Sequence, residues 1–188
     1  MKDLSLHIMD IIQNSISAQS TEIVVTVNIQ KEKDLLTVTI EDNGVGMDEE
    51  MVSRVTDPFV TSRSTRRVGL GISLFKASAE QAEGELKLMS KKGIGTTLEA
   101  SFKLSHIDRL PLGDIAETMV IVVIARPDIN YELKLQSLKE NFRFSSYEVA
   151  EKLGEVPITN YDVIAWIRDF INEGIKITFG GVLDEVVG

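Results

Sequence analysis

The sequence of 188 residues contains no cysteine, which excludes disulfide bonds and sites where cysteine binds a metal or an iron–sulfur cluster. It contains only two histidines, His7 and His106, and these leave little for a zinc site. Any metal ion is therefore expected to be a hard cation bound by oxygen ligands.

Long hydrophobic runs and an excess of positive charge are also missing. No segment approaches the about 18 consecutive apolar residues of a membrane helix, and the N-terminus lacks the continuous apolar stretch of a signal peptide. The formal net charge of −9 argues against general nucleic-acid binding, which requires a basic surface. With a hydrophobic content of 43%, we expect a globular, cytoplasmic protein with neither nucleic acid nor membrane as a partner.

The first 104 residues predict a two-layer α/β sandwich, with a mixed sheet covered by helices on one face. The predicted elements are a helix at 4–17, strands at 22–30 and 35–41, a short helix at 47–55, a helix at 70–82 that Gly84 would cap, and strands at 84–90 and 96–104. In the last strand Leu98, Ala100 and Phe102 alternate with polar residues.

The remaining chain predicts a linker at 105–112 and a small α+β extension at 113–188. Residues 114–126 are ambiguous between helix and strand, and the flanking Asp114 and Pro127 favour a helix. A hairpin around 138–141 and helices at 146–153 and 161–173 follow, the last beginning after Asn160 and ending at Gly174, with a loosely held C-terminus. The apolar run VIAWIRDFI in that helix is typical of core packing, and an interaction surface is the alternative.

The segment EDNGVGM follows the alternating run LLTVTI. Asn43-Gly44 after such a run is typical of a two-residue hairpin turn. The residues after it, 47–55, have helical rather than strand periodicity, so no returning strand is predicted. We therefore expect a strand, a glycine-rich crossing and a helix, with Asp42 at the strand end, where backbone can approach a bound molecule.

A second glycine pair, in Gly69-Leu70-Gly71, begins a predicted helix without a Ser, Thr, Asp or Asn placed to cap it. Its free backbone N–H groups would suit an anion. The preceding loop carries Arg63 and two further arginines, which favour phosphate. The alternative is a solvated loop whose glycines only permit a tight turn, and neither common nucleotide-binding glycine motif is present.

The predicted first helix has two distinct faces. Its apolar or small face consists of Leu4, Ile8, Ile11, Ile12, Ser15 and Ile16, and its polar face of His7, Asp10, Asn14 and Ser17. Taken alone, the polar face is typical of solvent exposure. If it faced phosphates, the Asn14 amide oxygen would suit Mg²⁺, and the Asp10 carboxylate could orient and deprotonate an attacking water or hydroxyl.

The order of these segments resembles the GHKL, or Bergerat-fold, ATPases. The resemblance spans residues 1–104 and consists of D-x-x-x-N, EDNGVGM, a basic loop ending in GLG, and GIGTTLEASF. The stretch TDPFVTSRSTRRVGLGISLFK looks like the histidine-kinase branch of that superfamily. The resemblance implies the Bergerat fold, with ATP and Mg²⁺ as the bound cofactors.

Roles for single residues are implied by this resemblance. Asp42 would accept a hydrogen bond from the adenine amine, and Gly44 and Gly46 would let the base lie against backbone. Thr97 would help to fix the same edge of the base. Further along, Gly69, Leu70 and Gly71 would bind phosphates, Arg63 would lie on the covering loop, and Asn14 would be a Mg²⁺ ligand. Asp10 would be catalytic, although it stands where ATP-hydrolysing branches carry the longer Glu.

The resemblance implies a histidine-kinase-like ATPase domain that hydrolyses ATP or transfers its γ-phosphate to a partner protein. Only nine residues precede Asp10, so we expect no phosphoacceptor domain of its own. The alternatives are a non-hydrolysing adenine-nucleotide sensor and a structural adaptor. The partner protein would be a phosphoacceptor or a hydrogenase-associated protein. The second is suggested because similar freestanding proteins are encoded near iron-only hydrogenases. A homodimer is an alternative.

Overall fold

The computed structural model describes residues 2–56 and 70–184. Its elements are α1 (Leu4–Ser17), β1 (Glu22–Gln30), β2 (Leu35–Asp42), α2 (Glu49–Thr56), α3 (Leu70–Gln81), β3 (Leu86–Lys91), β4 (Gly95–Lys103), α4 (Ile115–Ala125), β5 (Asn130–Ser137), β6 (Asn141–Ser145), α5 (Ser146–Leu153) and α6 (Tyr161–Asp184). A short 3-10 turn, Lys31–Lys33, joins β1 to β2. The predicted order of helices and strands is confirmed.

The strands form one six-stranded sheet in the order β3-β4-β2-β1-β5-β6. All neighbours are antiparallel except β1 and β5, which run parallel, so the predicted mixed sheet is confirmed. Val25 pairs with Ile40 on β2 and with Leu133 on β5, and Ile40 pairs with Leu98 on β4. These four side chains are buried and form one apolar row, because alternate residues of a strand share a face.

The C-terminal segment joins the same sheet as the first part of the chain. Strand β5 pairs with the whole length of β1 from Glu22↔Asn130 to Ile29↔Ser137. Buried side chains from both parts, including Val25, Phe144 and Ile167, belong to one hydrophobic cluster. The division into a domain, a linker and an extension stays a prediction, and the shared sheet indicates that the two parts fold against each other.

Helix α4 resolves the ambiguous segment in favour of a helix. Asp114 caps it, since its carboxylate accepts a hydrogen bond of 2.8 Å from the Glu117 N–H. The β-branched residues suit this helix because Val120, Val122 and Val123 are buried where α4 packs against α1 and α6. Burial therefore outweighs the modest helix propensity of valine.

The end predicted at Gly174 was wrong, and Gly84 follows α3 near its predicted end without the left-handed conformation of a glycine cap. Gly174 does not end a helix; it lies inside α6, and a Cβ there would come within 2.5 Å of the Phe142 ring. Gly84 does not adopt the left-handed conformation; Glu83 does, with φ of 54°, and a Cβ on Gly84 would collide with the Ser101 carbonyl oxygen. Both glycines are needed for close packing rather than for a turn.

The prediction of a loosely held C-terminus was wrong for the part that the structure describes. Helix α6 continues to Asp184, and Thr178 and Phe179 within it are buried. Its backbone is kinked at Gly180, where φ is 11° and ψ is −134°. Within the described ranges, no helix has both the length and the apolar character required to cross a membrane.

Candidate functional site

A cavity of about 220 Å³ lies between α1 and the sheet, at the end of β2. Its walls are mostly apolar, with contributions from α1, α3 and three strands. They include Ile11, Ile40, Met47, Ile72, Leu88 and Leu98. Asn14, Asp42 and Thr96 are among the few polar residues that reach it. Apolar walls with a few fixed polar groups are typical of a small-molecule site.

The carboxylate of Asp42 is held in place by two donors. The Ser15 hydroxyl donates to Oδ2 at 2.6 Å, and the Gly44 backbone N–H donates to Oδ1 at 2.9 Å. A carboxylate has about four acceptor positions, so each oxygen can accept a further hydrogen bond. Asp42 is therefore a fixed hydrogen-bond acceptor at the end of β2, where it forms part of the cavity wall.

Ser15 is a site residue that the sequence analysis missed. Its hydroxyl is on the apolar face of α1, and the side chain is only 2% exposed. A buried hydroxyl needs a partner, so a serine within an otherwise apolar helical stripe was a usable signal. The partner itself, Asp42, could not be read from local sequence because it lies on another element.

The glycines of the crossing have structural explanations that involve the protein's own backbone. Gly46 lines the cavity with φ of +65°, and a Cβ there would collide with the Lys91 carbonyl oxygen. Gly44 is not among the lining residues; a Cβ there would come within 2.6 Å of the Ser20 hydroxyl and 2.7 Å of the Ala18 carbonyl oxygen. The structure thus brings Gly46, and not Gly44, to the cavity.

Of the two consecutive threonines in β4, the structure brings Thr96 to the cavity and not Thr97. Thr96 pairs with Asp42 and lies on the side of the sheet that holds Leu98. Thr97 pairs with Glu41 and is directed to the opposite face. The Thr96 hydroxyl lies 2.8 Å from the Ser90 hydroxyl, so it is already part of a polar contact at the cavity wall.

The polar face of α1 divides into two environments. Asn14 lines the cavity, while Asp10 is exposed one turn earlier, beside the start of α3. A Cβ on Gly71 would lie 3.3 Å from the Asp10 Cβ and 3.5 Å from its Oδ2, so the first turn of α3 sits against this carboxylate. Leu70 is 63% exposed and does not line the cavity. Arg63 and Gly69 lie outside the described residues.

His7 does not belong to an exposed polar face, which corrects that part of the prediction. Its ring is 3% exposed and stacks on Phe75 of α3, with ring centroids 4.9 Å apart and an interplanar angle of 12°. Burial lowers the pKa of His7 below its ordinary value, so the neutral ring is favoured. His7 therefore packs α1 against α3, next to the site rather than inside it.

Similar sequences occur in bacterial sensor proteins. The chain is 31% identical over 103 residues to a putative sensor protein of Shewanella frigidimarina and 33% identical over 99 residues to a probable C4-dicarboxylate sensor kinase of Halalkalibacterium halodurans. It is 34% identical over 110 residues to the sensor protein kinase FleS of Pseudomonas aeruginosa. These matches cover 54%, 50% and 58% of this chain, and 16%, 19% and 27% of those proteins.

Among solved structures, the N-terminal domain of a DNA repair protein is similar, with a TM-score of 0.50 and 12% identity, over 76% of this chain and 52% of that one. This likeness concerns the fold alone. The family described as histidine kinase-, DNA gyrase B- and HSP90-like ATPases matches residues 2–106, more than half of the chain, and confirms the resemblance drawn from the motifs. The chain therefore belongs to the family of histidine kinase-, DNA gyrase B- and HSP90-like ATPases.

Proposed function

We propose that this chain binds Mg-ATP in the cavity between α1 and the sheet, and that it hydrolyses the ATP or transfers its γ-phosphate to a partner protein. The observation that carries the proposal is the Asp42 carboxylate, fixed by Ser15 and Gly44 beside apolar walls. Membership of an ATPase family supports adenine nucleotide as the ligand.

The chemistry of the cavity suits adenine. Its apolar walls can cover the faces of a planar ring, and Asp42 offers an acceptor for the exocyclic amine. Guanine carries a carbonyl oxygen at that position, which would face the carboxylate without a hydrogen bond. Adenine would therefore gain a hydrogen bond to Asp42 that guanine could not form.

The phosphates would lie towards α3, where Gly71 is close to Asp10 and Asn14 lies one helical turn from Asp10 on α1. The Asn14 amide oxygen is the type of ligand that Mg²⁺ accepts, and Mg²⁺ takes few protein ligands when it binds with a nucleotide. Within residues 2–56 and 70–184, no group of three or more acidic or histidine side chains could hold a metal without the nucleotide. Bound Mg²⁺ would neutralise charge on the phosphates.

Asp10 would act on the group that attacks the γ-phosphate. Asp10 of α1 is exposed beside the first turn of α3, and it lies one helical turn from Asn14. It could therefore orient a water molecule or a partner side chain and accept its proton. The alternative function is an adenine-nucleotide sensor without turnover. It is favoured by the same residue, because Asp is one methylene shorter than the Glu of the hydrolysing branches.

The test is to incubate the purified chain with γ-labelled ATP and Mg²⁺, alone and with candidate partner proteins. Bound nucleotide, released phosphate and labelled protein are measured in the same samples. Phosphate release supports hydrolysis, label on a partner supports transfer, and binding without either supports the sensor. No binding would overturn all three.

Two α1 variants make the experiment specific. Asn14→Ala should remove the Mg²⁺-dependent part of ATP binding while much of the adenine contact remains, and exposed Gln13→Ala is its matched control. Asp10→Glu should raise phosphate release if the short side chain limits turnover. Unchanged Mg²⁺ dependence in Asn14→Ala would refute the assignment of this residue.

A further inference from the structure

A second, larger cavity of about 570 Å³ lies at the other end of the sheet, between α5 and α6. Its apolar lining includes Leu153 of α5 and Val163, Trp166 and Phe170 of α6. The volume lies within the range of about 300–1,000 Å³ that is typical of small-molecule sites. None of its lining residues belongs to the nucleotide cavity.

The aromatic wall of this cavity is unusually open to solvent. Trp166 is 51% exposed and Phe170 is 37% exposed, and their rings stack with centroids 5.0 Å apart at an angle of 10°. Phe142 packs on Phe170 from the sheet side at 4.9 Å, which fixes the pair in place. A rigid aromatic surface that remains exposed in the folded chain can cover the apolar body of a ligand.

The charged residues around the cavity cancel, although the chain as a whole carries −9. Arg143 and Lys152 are positive, and Glu148 and Asp162 are negative. Arg143 is fully engaged, since it donates to Glu148 at 2.6 Å and to Glu132 at 2.7 Å. Lys152 and Asp162 form no ion pair with any described residue, so one cation and one anion stay available.

We propose that this cavity binds a small zwitterion with an apolar body, of the class of hydrophobic amino acids and short hydrophobic peptides. The apolar body would lie on Trp166 and Phe170, the ligand carboxylate near Lys152, and the ligand ammonium near Asp162. Both side chains are exposed in the folded chain, so a bound ligand that covers them would need to match both charges, and a ligand with only one charge would leave one of them unmatched. A nucleotide fits less well, because the several negative charges of its phosphates would have only Lys152 as an unpaired cation in a lining that also carries Asp162 and Glu148.

A second copy of the chain is a weaker fit for this cavity. A two-fold contact would bring the same concave surface against itself, and the space between the two concavities would stay unfilled. Small ligands fill such a cavity from within. The proposal therefore concerns a bound metabolite, and it is independent of whether the chain hydrolyses ATP.

Trp166 makes the test direct, because it is the only tryptophan in the chain. The full chain is titrated with L-leucine, L-phenylalanine and the dipeptide leucyl-leucine while its tryptophan fluorescence is recorded. We expect a saturable change with at least one of these probes. N-acetyl-leucine, which lacks the ammonium, and leucinamide, which lacks the carboxylate, should each bind about tenfold more weakly than leucine.

Two variants link each ligand charge to one side chain. Lys152→Met should abolish the preference for leucine over leucinamide, and Asp162→Asn the preference for leucine over N-acetyl-leucine. The controls are Lys139→Met and Asp169→Asn, charged residues outside the lining, which should keep both preferences. Equal binding of leucine, N-acetyl-leucine and leucinamide would overturn the proposal. The absence of a saturable change up to about 10 mM would also overturn it, because that concentration would detect a Kd as weak as about 1 mM. A fluorescence change that depends on protein concentration alone would instead indicate self-association and also overturns it.

Discussion

Ser15 of α1 and Asp42 of β2 are joined by a hydrogen bond of 2.6 Å across 27 residues of sequence. This bond connects the helical layer to the end of a central strand at the cavity. It also means that the Asp42 carboxylate is oriented before any ligand arrives. Preorganisation of this kind lowers the free-energy cost of binding.

Ser15→Ala should therefore weaken ATP binding, chiefly because the Asp42 carboxylate loses one of the two donors that orient it. Loss of a hydrogen bond to a carboxylate is worth about 1.5–3 kcal/mol, so the affinity should fall by roughly tenfold or more. Calorimetric titration with Mg-ATP measures the change. Ser78→Ala is the matched control, because Ser78 is a buried helical serine whose hydroxyl has no described partner. Equal losses in both variants would contradict a specific role for Ser15.

Asp42 should make the site selective for adenine. If its carboxylate accepts a hydrogen bond from the base, GTP loses that bond and faces a repulsive carbonyl, a difference of about 1–3 kcal/mol. We expect at least roughly tenfold tighter binding of ATP than of GTP. Asp42→Asn should remove most of this preference, whereas Glu41→Gln, on the neighbouring exposed residue, should keep it. Equal binding of ATP and GTP by the unmodified chain would refute the assignment.

The choice between Thr96 and Thr97 illustrates what the sequence could decide. The alternation of Leu98, Ala100 and Phe102 already assigns even-numbered residues of β4 to the buried face, and Thr96 shares that parity. The role of Thr97 was implied by the motif resemblance, which does not by itself distinguish consecutive threonines. Strand periodicity favours Thr96 for the side of the cavity, because successive side chains of a strand point to opposite faces.

A pair of single variants distinguishes the two threonines. Thr96→Val should weaken ATP binding by about fivefold, since one neutral hydrogen bond is worth about 1 kcal/mol. Thr97→Val should leave binding unchanged, because that side chain is directed to the opposite face of the sheet. Both substitutions keep the shape and the β-branch, so the fold should tolerate them. Weaker binding in Thr97→Val alone would restore the original assignment.

Long-range pairings account for most of what the sequence did not predict. Local periodicity predicted α1, and the flanking Asp114 and Pro127 favoured α4, since those signals lie within or next to each segment. The parallel pairing of β5 with β1 joins segments about a hundred residues apart, and no local pattern specifies it. The same limit applies to Gly174, which is required by the ring of Phe142 from a different element.

The crossing glycine Gly46 should be important for stability as well as for the cavity. Gly46→Ala would place a side chain at φ of +65° and against the Lys91 carbonyl oxygen. Gly93 also has a positive φ, +78°, but nothing lies within 4 Å of a Cβ there. Gly93→Ala should therefore cost about 1 kcal/mol of unfolding free energy, and Gly46→Ala about 2–4 kcal/mol. Urea unfolding measures both, and equal costs would contradict the collision.

His7 should make the stability of the folded chain depend on pH. Burial lowers its pKa in the folded state below 6.5, its ordinary value, so the unfolded chain binds the proton more tightly. The free energy of unfolding is therefore at its full value, as far as His7 is concerned, above about pH 6.5. It decreases as the pH falls below that value, by up to about 1.4 kcal/mol per pH unit.

His7→Phe keeps an aromatic ring to stack on Phe75 and removes the titrating group. Its unfolding free energy, measured in urea between pH 5.0 and pH 7.5 at intervals of about half a unit, should therefore fall less steeply towards acid than that of the unmodified chain. If His7→Phe and the unmodified chain lose stability equally towards acid, protonation of His7 is not coupled to unfolding, and the buried ring must be able to hold a proton without leaving its place against Phe75.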